Sequence, residues 1–385
     1  MKKFLSVVLA FLMLAVMLPT IALAAGNTVK VKVVGGAEYE SLEAAIAAAE
    51  PVNGVITYEI TGKVTVNSTG WVQVAKVGLT GLTTKVEFVG KTDDAEICIT
   101  GGVAILADQT YDIDVSFTNL KLSKLNPTYA GDYGHSTKYF TCWLRNTNAA
   151  ENTVTYTNCT FPNGVCNNQY GKTIFDNCNF TNNASGLYNL WNYGGNTEIK
   201  NSTFTGTRGV KLYSESTSGG TVDIDNTKFD GLTEKAAVIA SKPVEITITK
   251  VTVEDCNKGF ITRDITGNDE LTLNVNGSDI SGTFNVTDAT SAEAAKTELK
   301  ITEGTFTGNT DSVKDYLPEG KTINSNGAVV DKTITIIVPG DTTPAETPKT
   351  DDQKNPSTGA NDMVAAAAAL MAVAALGMSI LSRKK

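Results

Sequence analysis

Histidine, the side chain most suited to acid–base and metal chemistry near neutral pH, is nearly absent from this chain. There is one His among 385 residues, so a His-rich metal centre is excluded and imidazole chemistry is confined to His135. That residue lies in Gly131-Asp132-Tyr133-Gly134-His135-Ser136, where a surface loop is the plainer reading. The six cysteines, Cys98, Cys142, Cys159, Cys166, Cys178 and Cys256, include no Cys-x-x-Cys pair. A zinc ribbon or a redox dithiol is therefore unsupported, and no metal or cofactor is expected. Asp223 and Asp225 alternate on one strand, with Asp176, Arg208 and Arg263 in the same region, and solvated strand-face charge accounts for all five. A more distinctive group is Tyr170, Tyr188, Trp191, Tyr193 and Tyr213, with Tyr139 and Trp143 just before it. Outward rings at such positions stack on sugars with little loss of side-chain entropy, which makes these five the candidate glycan-binding residues. Packing at coil edges is the competing reading.

These residues lie in and around a degenerate repeat. Val115-Ser116-Phe117-Thr118-Asn119-Leu120-Lys121-Leu122 is echoed by Val154-Thr155-Tyr156-Thr157-Asn158-Cys159-Thr160-Phe161 and by Thr173-Ile174-Phe175-Asp176-Asn177-Cys178-Asn179-Phe180. Two further copies carry Asn201 and Asn226, and weaker ones are read from Val251, Leu273 and Leu299. Residues before each Asn alternate as in a half-buried strand. The Asn tolerates left-handed backbone angles and suits a sharp bend, so Asn119, Asn158, Asn177, Asn201 and Asn226 are expected to form a structural ladder. After the bend a small residue and then a large apolar one turn inward. Cys159, Cys178 and Cys256 take the small position, where a buried small hydrophobe is expected; a Cys159–Cys178 bridge is allowed by distance but disfavoured by direction.

The unit resembles that of the pectate-lyase-like right-handed parallel β-helix, with its Asn and aromatic ladders, over roughly residues 55–338. The implied fold is all-β: a right-handed parallel β-helix solenoid with a short N-terminal capping helix. An antiparallel β-sandwich is the alternative. Strand 29–34 and a helix over 42–50, capped by Ser41 and stopped at Pro51, would make residues 25–54 the cap. Residues 301–338, broken at Leu317-Pro318-Glu319-Gly320, read as the final coils. The resemblance also raises a polysaccharide lyase or glycoside hydrolase, which would need an acidic calcium cluster with a basic residue, or several close Asp carboxylates. No enzyme family's signature is present.

The two ends speak to location. Met1-Lys2-Lys3, an apolar run and Ala22-Leu23-Ala24 form a basic region, a hydrophobic region and an Ala-x-Ala site, expected to be a secretory signal peptide cut after Ala24 (residues 1–24). At the other end, Asn355-Pro356-Ser357-Thr358-Gly359 precedes an uncharged stretch over 363–381 and a final Arg383-Lys384-Lys385. At ~1.5 Å per residue the stretch is long enough to cross a bilayer core, so a transient transmembrane helix outside the fold is expected, with the basic tail cytoplasmic. This tripartite end (residues 355–385) resembles the cell-wall sorting signal of Gram-positive surface proteins, in the variant that begins with Asn. The resemblance implies that a sortase cysteine attacks the Thr358 carbonyl, cleaves before Gly359 and passes the acyl group to a peptidoglycan amine. Residues 339–354, rich in Pro, Thr and Asp, are an expected spacer.

With 32 basic and 41 acidic residues the chain lacks the basic footprint of a nucleic-acid binder. Taken together, the expectation is a secreted, cell-wall-anchored surface protein whose partners are a sortase, peptidoglycan and a host or dietary glycan. An enzyme and an inert stalk are the alternatives.

Overall fold

The computed structural model describes residues 30–66, 71–74, 83–100, 104–107, 113–125, 139–144, 152–167, 171–185, 187–192, 195–213, 220–240, 244–254, 261–264, 271–281, 297–307 and 310–333. The expected signal peptide, spacer, sorting signal and apolar stretch 363–381 lie outside these residues, as do His135, Tyr170, Tyr193 and Cys256. Among the described residues no helix is long and apolar enough to cross a membrane.

The described chain is all-β apart from one α-helix and short 3-10 turns, and its strands form sheets of 12, 10 and 8 members plus a two-stranded hairpin. The path visits the three large sheets in rotation. Asp114–Thr118 lies in the first, Lys121–Lys124 in the second and Phe140–Leu144 in the third; Thr153–Thr157 then returns to the first. It pairs parallel with Asp114–Thr118, matching Val154 to Val115 and Tyr156 to Phe117. Ten coils contribute to the second sheet in this way, a β-helix-like arrangement in which each strand is hydrogen-bonded to the coils on either side.

Strict alternation makes this stacking work. Val115, Phe117, Val154, Tyr156, Thr173 and Phe175 are at most 2% exposed while their neighbours in sequence face outward. In-register pairing then puts like on like. Tyr58, Phe88, Phe117, Tyr156 and Phe175 stack along the first sheet with ring centres 4.9–5.2 Å apart. Phe161, Phe180, Phe204 and Phe229 stack along the second at 4.2–4.9 Å. The two columns meet edge to face, as at Tyr156–Phe161 (5.3 Å, 76°), the arrangement that aromatic quadrupoles favour.

Five successive corners between the first two sheets each turn on one left-handed Asn. Asn119, Asn158, Asn177, Asn201 and Asn226 have φ of 45–56°. Their amides form a directional row: Asn158 Nδ2 donates to Asn119 Oδ1 (3.0 Å), Asn177 to Asn158 (2.6 Å) and Asn226 to Asn201 (2.8 Å). Asn201 instead donates to Asp176 Oδ1 (2.8 Å), which carries the row past Asn177.

Register differs from expectation in one weaker copy, the one read from Val251, while those read from Leu273 and Leu299 fall in the first sheet as expected. The strand of the first sheet is Val244–Thr249, with Ile246 and Ile248 buried, and the left-handed corner is Lys250 (φ 51°). Val251 and Val253, expected to precede a corner, follow it and take the small and large inward positions. A Lys at the bend hides the corner from a search for Asn, and Val251-x-Val253 imitates the alternation of the other sheet.

At the start, Val31–Val33 pairs antiparallel with Val55–Ile60 and the helix α1 (Leu42–Ala48) covers the core with Leu42, Ala45 and Ile46. Ser41 Oγ accepts the Ala44 N–H (3.1 Å), the N-cap its sequence implies. The helix ends at Ala48, two residues before the expected end. At the other terminus the chain leaves the parallel stack after Thr307. It then forms 3-10 turns and an antiparallel hairpin, Lys321–Ile323 with Val329–Asp331, rather than further coils. The hairpin lies against the last strand of the second sheet, where Phe306 N–H donates to Gly327 O (2.8 Å).

Candidate functional site

The aromatic group falls on the third sheet. Tyr188 and Trp191 belong to the strand Tyr188–Asn192, and the next strand, Arg208–Tyr213, ends in Tyr213. Parallel pairing aligns Tyr188 with Arg208 and Trp191 with Lys211. A cation therefore stands beside each ring. The Arg208 guanidinium carbon is 5.2 Å from the Tyr188 ring centre, and Lys211 Nζ is 4.1 Å from that of Trp191. Arg208 is also ion-paired to Glu234, just before the following strand, Lys235–Ala240.

This packing corrects the expected outward strip at Tyr188. The side chain is 7% exposed, its ring meets Trp191 edge to face (6.1 Å, 89°), and its N–H donates to the Tyr139 hydroxyl (3.0 Å). Tyr139 is fully buried, and that burial pushes its phenol well above the ordinary range. Trp191 is half-buried with Lys211 over its ring, so a sugar reaching that ring would first have to displace the ammonium. The cluster reads as an aromatic–cation patch on the outer sheet face, joined to the interior through Tyr139. The rings are legible in the sequence, but that Arg208 and Lys211 stand beside them follows from register alone.

Of the charged residues weighed for lyase or hydrolase chemistry, Asp176 and Arg208 are engaged locally. Asp176 takes the Lys200 ammonium (3.6 Å) and the Asn201 amide. Burial, followed by the nearby Glu198 and Glu245, raises Asp223 above the usual carboxylate range. Arg208 is held by Glu234, and Arg263 falls in the strand Ile261–Asp264. Among the described residues no three His, Cys, Asp or Glu side chains are grouped to hold a metal ion.

The thiols are interior groups. Cys159 and Cys178 follow the corner Asn on adjacent coils, at most 2% exposed, and both are free. Each sulfur donates to a backbone oxygen, Cys159 to Phe117 O (3.4 Å) and Cys178 to Tyr156 O (3.5 Å). Burial pushes the Cys159 thiol up to about 12, which keeps it protonated and unreactive at neutral pH.

A second polar cluster was not legible in the sequence. Glu96, 7% exposed, accepts from Ser123 Oγ (2.5 Å) and lies between Lys63 (3.3 Å) and Lys121 (3.2 Å), all on neighbouring strands of the second sheet. Burial pushes its carboxyl up, but Ser123 and the two ammoniums outweigh that and hold it below the usual range. Beside it, at the corner between the first two sheets, is an open polar cleft of about 490 Å³. The loop after Gly90 lines one side and Asn119, Lys121 and Asn158 the other.

No family model matches the chain, and no curated protein matches it.

Proposed function

We propose that this chain is a cell-wall-anchored surface protein whose right-handed parallel β-helix, of the pectate-lyase-like kind, displays a glycan-binding surface. The reading is carried by one observation: a signal-peptide pattern at one end, and Asn355-Pro356-Ser357-Thr358-Gly359, an uncharged stretch and a basic tail at the other. Each part has a separate physical task. The n-region and apolar run direct export. The stretch over 363–381 holds the chain in the bilayer while the pentapeptide is read, and Arg383-Lys384-Lys385 stops further translocation. Thr358 supplies the carbonyl that a sortase thiol attacks; the Thr358–Gly359 peptide bond breaks, and a peptidoglycan amine takes the acyl group.

The folded part supports display. Its covered ends and repeated parallel pairing give a stable platform. The outer face of the third sheet, with Trp191 and Lys211, remains one place where a glycan would rest.

Anchoring is tested by fractionating cells that express the full chain. The wild type is expected in the peptidoglycan fraction and released only by a muramidase. Thr358→Ala is expected to lose nearly all of that signal to the membrane fraction. Equal peptidoglycan signal for both would refute covalent anchoring.

A further inference from the structure

The Asn row has a direction, and its end falls at the cleft beside the Glu96 cluster. Asn177 and Asn158 each point Nδ2 at the Oδ1 of the preceding Asn, so the amide dipoles align and the row finishes on Asn119 as a donor. Aligned amides polarise one another, which strengthens the terminal N–H. Pairing of Val89 with Thr118 puts Gly90 next in the row, and glycine has no side chain to accept that N–H. Nor has Gly90 room for one, since a Cβ there would lie 1.9 Å from the Asn119 carbonyl oxygen. After Gly90 the chain makes a wider turn through Lys91, Thr92 and Asp93 instead of the tight Asn corner, and the gap between the two turn types is the cleft.

The groups facing this gap are of both signs. Lys91 and Lys121 hold ammoniums at its edges, already turned toward Glu59 (3.1 Å) and Glu96 (3.2 Å). Asp93 offers a carboxylate, and Thr92 accepts the Gly62 N–H through Oγ1 (3.0 Å), leaving its hydroxyl hydrogen to donate. A wall of mixed donors and acceptors, with the lysines balanced by carboxylates, suits neither a bare anion nor an apolar ligand. A sugar hydroxyl both donates and accepts, so vicinal hydroxyls fit such a wall.

We infer that this cleft is a binding subsite for a neutral, hydroxyl-rich sugar residue, with Asn119 Nδ2 donating to a ring hydroxyl and Asp93 accepting from its neighbour. The inference rests on the glycan-binding reading and moves the specific contact from the aromatic patch to the end of the Asn row.

The test uses the purified full chain and calorimetric titration with lactose, maltoheptaose, chitotriose and mannotriose. Asn119→Asp keeps a residue that tolerates the left-handed corner and replaces the donor with an acceptor. Its thermal midpoint is compared with wild type so that lost folding is not read as lost binding. At least one sugar is expected to bind wild type, to weaken about tenfold with Asn119→Asp, and to be unchanged with Trp191→Ala. Binding that is lost with Trp191→Ala and kept with Asn119→Asp would overturn the cleft assignment and leave the glycan reading standing. Binding of none of the four sugars would overturn both.

Discussion

Replacing Phe204 with Ala is expected to lower the unfolding free energy by about 3–5 kcal/mol. The ring is fully buried and sandwiched between Phe180 at 4.2 Å and Phe229 at 4.7 Å, so its removal opens a gap that two neighbours line at once. Backbone pairing to the coils on both sides resists collapse into that gap, because moving one strand breaks register with two others. Phe204→Leu, which retains most of the volume, should lose no more than about 1.5 kcal/mol. Chemical denaturation of the two variants reads the difference directly. In a stack of coils each unit is coupled to its neighbours, so both midpoints should move with the whole transition rather than as a separate early phase. A loss under about 1 kcal/mol for Phe204→Ala would mean that the rings are not packed as the stack requires.

The second large effect is expected at a backbone position. Gly206 has φ of +108°, and a Cβ on it would lie 2.1 Å from the Asn182 carbonyl oxygen. Asn182 cannot give way. It is 1% exposed, its N–H donates to Asn189 Oδ1 (2.6 Å), and its Nδ2 bonds the carbonyls of Asn163 (3.3 Å) and Tyr188 (3.1 Å). Backbone strain and overpacking add at this one site, so Gly206→Ala should destabilise by about 3 kcal/mol or more. Gly231→Ala is the matched control. Its φ is +58°, but nothing lies within 4 Å of the added Cβ, and a loss near 1 kcal/mol is expected from strain alone. Equal thermal midpoints for the two variants would contradict the close approach at Asn182.

The parts of the fold that could be read from the sequence are those where one residue type answers one physical need. Asn at the corner meets a positive φ, Phe after it fills the interior, and Ser41 caps α1. Where another residue meets the same need, the pattern disappears. Lys250 adopts the left-handed corner without an Asn, and the coil that holds it was misplaced by one strand. The third sheet was the least legible. Its strands follow loops of unequal length, so the pairing of Trp191 with Lys211 and of Tyr188 with Arg208 has no spacing to announce it. Tyr188 shows the cost of reading rings without register: an aromatic outside the repeat looked like a surface residue, yet its ring is covered. The Glu96 cluster was hidden for a related reason. Lys63, Glu96, Lys121 and Ser123 are scattered along the chain and become neighbours only through strand pairing.

We propose that Thr358 becomes the covalent junction between this chain and the wall. The most direct test is mass spectrometry of the chain released from purified peptidoglycan by a muramidase. The expected product is a C-terminal peptide that ends at Thr358 and carries, in amide linkage, the mass of a peptidoglycan stem fragment. A C-terminal peptide that continues through Gly359 into residues 363–381 would contradict it.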